Sequence, residues 1–247
     1  SSFSITNGTR QGAVLSPIFW CLYCDDMIKE LRELGVGCHI SGRWVGATMY
    51  ADDLLLMAPT RSAMVAMLKV CEVYASKHNI SFSTDPNPAK SKTKCLYMCG
   101  NINSRKYPAN LKLNGRDLPF VTTATHLGHE LSQDCTMTHD TKIKRAVFID
   151  RSINVREMFD FACPEQVLYA VVTYCCDHYG SMLWDLYSES SAKYFRCWNT
   201  CVKLAWKCPR STHTYLVTNA LAHDIVSVRT RIISRYVKFV HSLLARD

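Results

Sequence analysis

Two adjacent aspartates, Asp52 and Asp53, interrupt the most strand-like stretch of this sequence. Residues 44–49 precede the pair and residues 54–57 follow it, and both runs are mostly apolar, as half-buried strands are. The pattern therefore predicts an antiparallel hairpin with the acid pair at its turn. Carboxylates resist leaving water unless they are paired or bind a metal, so the pair limits which surroundings this hairpin can have. An ordinary solvated turn and a metal-binding turn both stay open at this point.

Hydrophobic periodicity divides the chain into two halves of different character. The first half alternates helices with short strands, whereas the second half carries only helical patterns. We predict helices over residues 17–34, 62–78, 138–157, 164–184, 188–206 and 224–245, and strands over 36–40, 43–57, 80–83, 95–98, 111–118 and 123–131. The predicted fold class is α+β, with one domain over residues 1–135 and an all-helical domain over residues 136–247.

Capping and turn signals set the expected ends of several elements. Ser16 is the expected N-cap of the first helix, with Pro17 at its first position. Gly35 and Asn79 are expected to end the first two helices. The dipeptide Asn114-Gly115 favours a tight hairpin turn, because both residues tolerate positive φ.

Composition narrows the class of protein before any motif is considered. Of the 247 residues, 48% are hydrophobic and 20% are charged, which predicts a folded core and excludes disorder. No run of about 18 apolar residues is present, and residues 1–4 do not begin a signal peptide, so no membrane partner is expected. The net charge of +8 suits a polyanionic partner such as a nucleic acid.

The chain carries thirteen cysteines, a high count for its length. Most lie inside apolar helical patterns, as Cys71 does, which favours buried free thiols in a reducing intracellular compartment over a disulfide framework. One set has the chemistry of zinc ligands, namely Cys197, Cys201, Cys208 and His213. Its spacing matches no standard zinc motif, which argues against a zinc centre.

Three further stretches accompany the acid pair in a fixed order along the chain. Gly-Thr-Arg-Gln-Gly-Ala-Val-Leu-Ser-Pro precedes it at 8–17, whereas Asn-Pro-Ala-Lys-Ser at 87–91 and Thr-His-Leu-Gly at 125–128 follow it. Together with Tyr-Ala-Asp-Asp at 50–53, this order resembles the palm of a reverse transcriptase, most closely those of non-LTR (LINE-type) retrotransposons. The resemblance implies an antiparallel palm sheet with packed helices in the first domain and a helical thumb-like region in the second, with the fingers absent.

The resemblance also implies an enzyme, an RNA-directed DNA polymerase that adds deoxynucleotides to a primer 3′-hydroxyl. This phosphoryl transfer uses two divalent ions, Mg²⁺ or Mn²⁺, which neutralise charge on the phosphates. By resemblance Asp52 is a direct metal ligand and Asp53 a less direct one. Lys90 is implied to neutralise or protonate the pyrophosphate.

The same resemblance assigns residues that contact the nucleic acids and the incoming nucleotide. The template and nucleotide contacts are Arg10, Gln11, Gly12 and Tyr50. Gly12 lacks a Cβ, so its backbone can approach the nascent base pair. The primer-grip turn is implied at His126, Leu127 and Gly128, with histidine where the family usually has tyrosine. The phosphate contacts of the thumb-like region are Lys142, Lys144, Arg145 and Arg151.

The implied partners are an RNA template, a DNA primer and deoxynucleotides, and the implied location is nuclear. In this family another essential aspartate lies well upstream of the Arg-Gln-Gly stretch, but only nine residues precede Arg10 here. We therefore expect a fragment of a polyprotein that needs an upstream fingers and palm portion and is inactive alone. Residues 179–184, Tyr-Gly-x-x-x-Trp, also resemble a stretch found beyond the palm in such elements. Two alternatives stay open: a non-catalytic remnant that binds RNA or RNA–DNA duplex, and an unrelated αβ protein with a fortuitous acid turn.

Overall fold

The computed structural model of the chain describes residues 14–85, 87, 90–98, 109–216 and 227–245. The chain forms two units, Ser1–Leu127 and Gly128–Asp247. Short strands alternate with helices in the first unit and helices dominate the second, so the structure is a mixture of helices and small sheets, compatible with the predicted α+β class. The domain boundary predicted after residue 135 stays a prediction. No helix in the described part of the chain is long and apolar enough to cross a membrane.

The first unit begins with α1 (Ser16–Glu33), which confirms the helix predicted over residues 17–34. Its buried face consists of Cys24, Met27 and Leu31. The predicted Ser16 cap is wrong, because Ser16 is already helical and the N-cap is Leu15, which makes no capping bond with its side chain. Pro17 in the first turn lacks a backbone donor, and its fixed φ suits the start of a helix.

Two antiparallel hairpins follow α1. Their strands are β1 (His39–Ile40) paired with β2 (Arg43–Trp44), and β3 (Ala47–Tyr50) paired with β4 (Asp53–Leu56). The strand predicted from residue 43 up to the turn at Asp52-Asp53 is therefore broken at Val45 and Gly46. The Trp44 ring packs against the backbone at this break, because a Cβ on Gly46 would lie 2.7 Å from three of its ring atoms.

The second helix, α2 (Arg61–Lys77), confirms the helix predicted over residues 62–78. Thr60 caps it, since its side-chain oxygen accepts a hydrogen bond from the Ala63 backbone N–H at 3.2 Å. Asn79 follows its end with φ of +51°, as predicted. One core cluster of the unit consists of residues from α1, β3 and α2, namely Met27, Leu31, Ala47, Met67, Cys71 and Tyr74.

The next four strands of the first unit are each two residues long. They are β5 (Cys95–Leu96), paired in parallel with β8 (Phe120–Val121), and β6 (Lys112–Leu113), paired antiparallel with β7 (Arg116–Asp117). Asn114 and Gly115 form the β6–β7 turn with φ of +52° and +75°, which confirms the predicted hairpin. The strand predicted over residues 80–83 is wrong, because among the described residues it pairs with no other strand. Ile80 and Phe82 are instead partly buried against the core.

The division between the units falls in the turn between β9 (Thr123–His126) and β10 (His129–Ser132). The described helices of the second unit are α3 (Thr138–Met158), α4 (Pro164–Cys175), α5 (Glu189–Ala205) and α6 (Val228–Leu244). The helix predicted over residues 164–184 is too long. The chain leaves the helical conformation after α4, with positive φ at His178 (+50°) and Gly180 (+74°), and then forms a 3₁₀ turn.

The core of the second unit is apolar and contains residues from all four helices. Its central members include Phe148, Leu168, Val171, Trp198, Val202 and Ile232. Because the four helices contribute to one cluster, removal of any of them would expose apolar surface of the others. The burial of this surface is the main force that holds the unit together.

A buried carboxylate, Asp140 on α3, lies at the centre of a polar network in the second unit. It is 1% exposed, and its oxygens accept hydrogen bonds from the Glu130 backbone N–H at 3.1 Å and the Trp184 indole N–H at 2.9 Å. Lys144 Nζ lies 3.1 Å from the same carboxylate and donates to the Tyr179 carbonyl oxygen at 2.9 Å. The network joins β10, α3 and the segment after α4, which gives the Tyr-Gly-x-x-x-Trp stretch a structural role.

Gly180 has no room for a side chain, and we expect Gly180→Ala to destabilise the second unit by about 2 kcal/mol. Its φ of +74° disfavours any residue with a Cβ, and a Cβ here would overlap the His129 ring. That ring is stacked on Tyr179 with the ring centroids 5.1 Å apart, so moving it has a cost. Urea unfolding followed by tryptophan fluorescence measures the loss. In a His129→Ala background the loss should shrink, and an equal loss in both backgrounds would contradict the overlap argument.

Candidate metal and nucleotide site

The acid pair lies at the turn of the β3–β4 hairpin, and the antiparallel hairpin is confirmed. Tyr50 pairs with Asp53, so the two-residue loop consists of Ala51 and Asp52. The turn predicted at Asp52-Asp53 is therefore displaced by one residue, and Asp53 is the first residue of β4. The physical reason is that Ala51 adopts the left-handed conformation, with φ of +52°, that glycine or asparagine would be expected to supply.

We call residues 50–53 the acid turn, and both of its carboxylates are exposed to solvent. Within the described part of the chain, neither Asp52 nor Asp53 forms an ion pair or a side-chain hydrogen bond. A second adjacent acid pair, Asp25 and Asp26 on α1, differs because both of its carboxylates contact Lys29 Nζ, at 2.7 and 3.1 Å. The hairpin turn thus holds two carboxylates whose charge no described cation balances, which leaves their oxygens available to a metal ion.

The described residues bring no third ligand to the acid pair. None of them form a group of three or more His, Cys, Asp or Glu side chains arranged to hold a metal ion, and this includes Cys197, Cys201, Cys208 and His213. Two exposed carboxylates nevertheless fit Mg²⁺, which proteins commonly hold with one or two carboxylates together with substrate phosphates and water. Asp52 and Asp53 are therefore a fitting, partial ligand set for a hard cation.

The cysteine thiols have a different character from the acid pair. The twelve described cysteines are all free, and several are buried in the helical cores. Burial raises the pKa of Cys71 and of Cys176 to about 12. These thiols are therefore protonated at neutral pH, which makes them poor nucleophiles and poor metal ligands.

Trp20 on α1 contacts the acid turn directly. Its indole N–H donates a hydrogen bond to the Ala51 carbonyl oxygen at 2.7 Å. Tyr50, the residue before the turn, is 69% exposed, so its ring is accessible from solvent. Sequence reasoning missed Trp20, because 31 residues separate the donor from the acceptor and no local pattern links them.

Lys90 lies on a turn that is separate from the hairpin. Its backbone N–H donates to the Asn87 carbonyl oxygen at 2.9 Å, and the residue is exposed. No ion pair joins Lys90 to either carboxylate of the hairpin turn. Arg10, Gln11 and Gly12 lie outside the described residues. The roles implied for these four residues stay predictions.

Of the residues implied as a primer grip, His126 is the last residue of β9, and Leu127 and Gly128 form the tight turn that follows. Leu127 and Gly128 both have positive φ, +48° and +74°. Gly128 tolerates this conformation, whereas a leucine adopts it rarely. His126 and Leu127 are partly buried and Gly128 is exposed. Their contact with a primer stays a prediction.

The four basic residues implied to bind phosphates all lie on α3. Lys142 and Arg151 are exposed, and Arg145 is partly buried. Lys144 differs, because its side chain is only 21% exposed and its ammonium group is paired with Asp140. Asp140 and Lys144 are four positions apart, a spacing that favours an ion pair on a helix. This spacing is the sequence signal from which their pairing could have been predicted. Phosphate contacts by all four residues stay predictions.

Comparison with known proteins gives a family match over the first half of the chain. The family described as "Reverse transcriptase (RNA-dependent DNA polymerase)" matches residues 1–131. Over 93 residues the chain is 31% identical to a "Retrovirus-related Pol polyprotein from type-1 retrotransposable element R2" of Nasonia vitripennis. That match covers 38% of this chain and 9% of the relative, so the chain spans a small part of that protein's length. The acid turn, the Lys90 turn and the turn after β9 all lie within the family match.

Proposed function

Because this chain belongs to the reverse transcriptase (RNA-dependent DNA polymerase) family, we propose that it is the palm and thumb portion of a non-LTR retrotransposon enzyme. In this proposal residues 1–135 are the palm and the helical residues 136–247 are the thumb. The reaction adds deoxynucleotides to a primer 3′-hydroxyl on an RNA template, as phosphoryl transfer that depends on positioning and charge neutralisation. The resemblance to an R2 polyprotein supports the non-LTR assignment.

The acid turn is the observation that carries this proposal. Asp52 and Asp53 are exposed, adjacent and without a cation partner among the described residues. A turn selected only for stability would gain from a neighbouring Lys, as Asp25 and Asp26 gain from Lys29. Carboxylates left without such a partner suit a site where a cation arrives with the substrate.

In the proposed site Asp52 holds a divalent ion directly and Asp53 supports it. Bound Mg²⁺ or Mn²⁺ supplies charge neutralisation for the reacting phosphates. Tyr50 offers an exposed ring beside the turn, near the primer end. Lys90 neutralises or protonates the pyrophosphate, while Arg10 and Gln11 contact the template and the nucleotide.

The proposed partners are an RNA template, a DNA primer and deoxynucleotides. The net charge of +8 favours the binding of their negatively charged phosphates. Lys142 and Arg151 are the best placed of the α3 residues for phosphate contact, because both are exposed. His126, Leu127 and Gly128 contact the primer in this proposal. The same proposal includes a nuclear location and an upstream portion of the same polyprotein that contains the fingers.

A non-catalytic module that binds RNA or RNA–DNA duplex is the second candidate. Its support is the basic charge of the chain and the exposed cations on α3. The acid turn argues against it, because carboxylates repel phosphates when no metal ion is present. The two candidates therefore differ in how nucleic-acid binding responds to Mg²⁺.

Template–primer binding by the purified chain tests the proposal. We expect Mg²⁺ to tighten the binding severalfold, because the ion screens the carboxylates from the phosphates and bridges them. Asp52→Ala/Asp53→Ala should abolish this response. The matched control is Asp25→Ala/Asp26→Ala, which removes another adjacent exposed pair and should keep the response. Fluorescence anisotropy of a labelled RNA–DNA duplex, titrated with and without Mg²⁺, gives the affinities.

Two outcomes of this titration would contradict the proposal. Binding that ignores both the metal and the Asp52→Ala/Asp53→Ala change would favour the non-catalytic module. An equal loss of the Mg²⁺ response in the Asp25→Ala/Asp26→Ala control would mean that the ion acts on general charge and not at the hairpin turn.

A further inference from the structure

We propose that Trp20 is a positioning residue for the acid turn: its indole N–H holds the Ala51 carbonyl and so fixes the backbone that presents Asp52 and Asp53. The inference rests on the proposed metal-binding function of this pair. In this inference α1 does more than pack against the core, since it carries the indole N–H that binds the turn. This role is indirect, because the indole contacts neither carboxylate.

The hydrogen bond acts on the peptide group next to the first acid. The Ala51 carbonyl belongs to the peptide that joins Ala51 to Asp52, and the Trp20 indole nitrogen lies 2.7 Å from its oxygen. Because a donor hydrogen prefers to lie near the plane of the carbonyl group that accepts it, this bond restricts the orientation of the peptide. Among the described residues, it is the one side-chain hydrogen bond that reaches the loop.

The backbone at this peptide needs such support. Ala51 has φ of +52°, a conformation that residues with a Cβ adopt rarely. In a free hairpin the same loop would relax to other turn conformations, which would redirect the carboxylates. The bond from Trp20 opposes this relaxation, because the carbonyl must stay where the indole can donate to it.

The strands and the loop of the hairpin are held by different contacts. Among the described residues, the four-residue strands β3 and β4 pair only with each other. Ala47, at the base of β3, is buried in the core with Met27 and Leu31 of α1. Other side chains of both strands also pack against this core, so apolar packing holds the strands. The exposed loop is held from α1 by the hydrogen bond of Trp20.

Trp20→Phe tests this inference, because it keeps an aromatic ring and removes the N–H donor. Mn²⁺ binding to the full chain is measured by water-proton relaxation, with Asp52→Ala/Asp53→Ala defining the signal from the turn. We expect that signal to report Mn²⁺ binding about threefold to tenfold weaker in Trp20→Phe, the range of one ordinary hydrogen bond. Adding Ala51→Gly should recover part of the loss, since glycine adopts positive φ without strain.

Trp44→Phe is the matched control for a lost indole bond. The Trp44 indole N–H donates to the Val36 carbonyl oxygen, also at 2.7 Å, in the same unit but away from the acid turn. This variant should lose stability and keep its Mn²⁺ affinity. If Trp44→Phe weakens Mn²⁺ binding as much as Trp20→Phe does, the effect is a general loss of stability and the inference is overturned.

The other outcomes separate the inference from the proposed function. If the unaltered chain shows no Mn²⁺ binding that depends on Asp52 and Asp53, the proposed function fails, and with it the premise of the inference. If that binding is present and unchanged in Trp20→Phe, only the inference fails. Should Trp20→Phe not fold, solvent exchange of the Trp20 indole proton in the unaltered chain decides, since exchange as fast as in free indole would overturn the inference.

Discussion

Asp140→Ala should destabilise the helical unit by about 3 kcal/mol or more, the range found when one partner of a buried charged pair is removed. The Asp140 side chain is 2% exposed and binds Lys144, so its loss leaves the ammonium group without its counter-charge. The Trp184 indole N–H and the Glu130 backbone N–H lose their acceptors as well. Each buried donor left unpaired costs about 1–3 kcal/mol, although relaxation and entering water offset part of the sum.

Urea unfolding of the full chain, followed by tryptophan fluorescence and far-UV circular dichroism, measures this loss. Asp150→Ala is the matched control, because Asp150 is an exposed aspartate on the same helix and its removal should change the stability little. Asp140→Asn should lie between the two, since an amide oxygen can still accept from Trp184. Equal unfolding midpoints for Asp140→Ala and Asp150→Ala would show that the network contributes nothing.

Local patterns predicted the long helices of this fold well. Residues 17–34 and 62–78 were expected to be helical, and α1 and α2 occupy Ser16–Glu33 and Arg61–Lys77. The reason is that an amphipathic helix is specified by apolar residues three and four positions apart, all within one short stretch. The hairpin at Asn114-Gly115 was predicted correctly for the same reason, because two adjacent residues that tolerate positive φ specify its turn.

Tertiary contacts decided the elements that sequence reasoning missed. The helix expected over residues 164–184 stops at Cys175, because the chain must turn so that Trp184 reaches Asp140. These two residues are 44 positions apart, and no local pattern indicates that they meet. The short strands were predicted poorly for a related reason, since the formation of a two-residue strand depends more on its partner strand than on its own composition.

The candidate site shows the same contrast between local and distant information. The residues Asp52 and Asp53 and their hairpin were found from sequence, because two acids between apolar runs are conspicuous. The loop position was displaced by one residue, since alanine at positive φ is rare and Ala51 adopts it here. Its support by Trp20 comes from another helix, so only the structure could reveal it.

The stability of the helical unit should also fall as the pH is lowered, because of a buried histidine. His178 is 6% exposed, and its Nε2 has no hydrogen-bond partner among the described residues. Burial lowers the pKa of His178 to about 4, and the positive charges of Arg235 and Arg231 add to this effect, against a smaller opposing effect of Asp177. The Tyr194 hydroxyl, 3.3 Å from Nδ1, is the neighbouring group on α5.

The direction in which the stability changes with pH follows from the two pKa values of His178. Its pKa is about 4 in the folded chain against 6.5 in the unfolded chain, so the unfolded state binds more protons between these values. The stabilisation by the neutral ring is therefore complete above the unfolded pKa and is lost as the pH falls through the folded one. A shift of this size corresponds to roughly 3 kcal/mol.

His178→Gln should flatten this pH dependence, because glutamine fills a similar space and does not titrate. Urea unfolding at a series of pH values between about 7 and 4, for both proteins, gives the difference in slope that belongs to His178, since the two proteins differ only at this residue. The matched control is His213→Gln, which removes an exposed histidine of the same unit and should leave the slope unchanged. The same slope in His178→Gln and the unaltered chain would mean that the buried ring is protonated as easily as a free one, which its burial and the positive charges of Arg235 and Arg231 argue against.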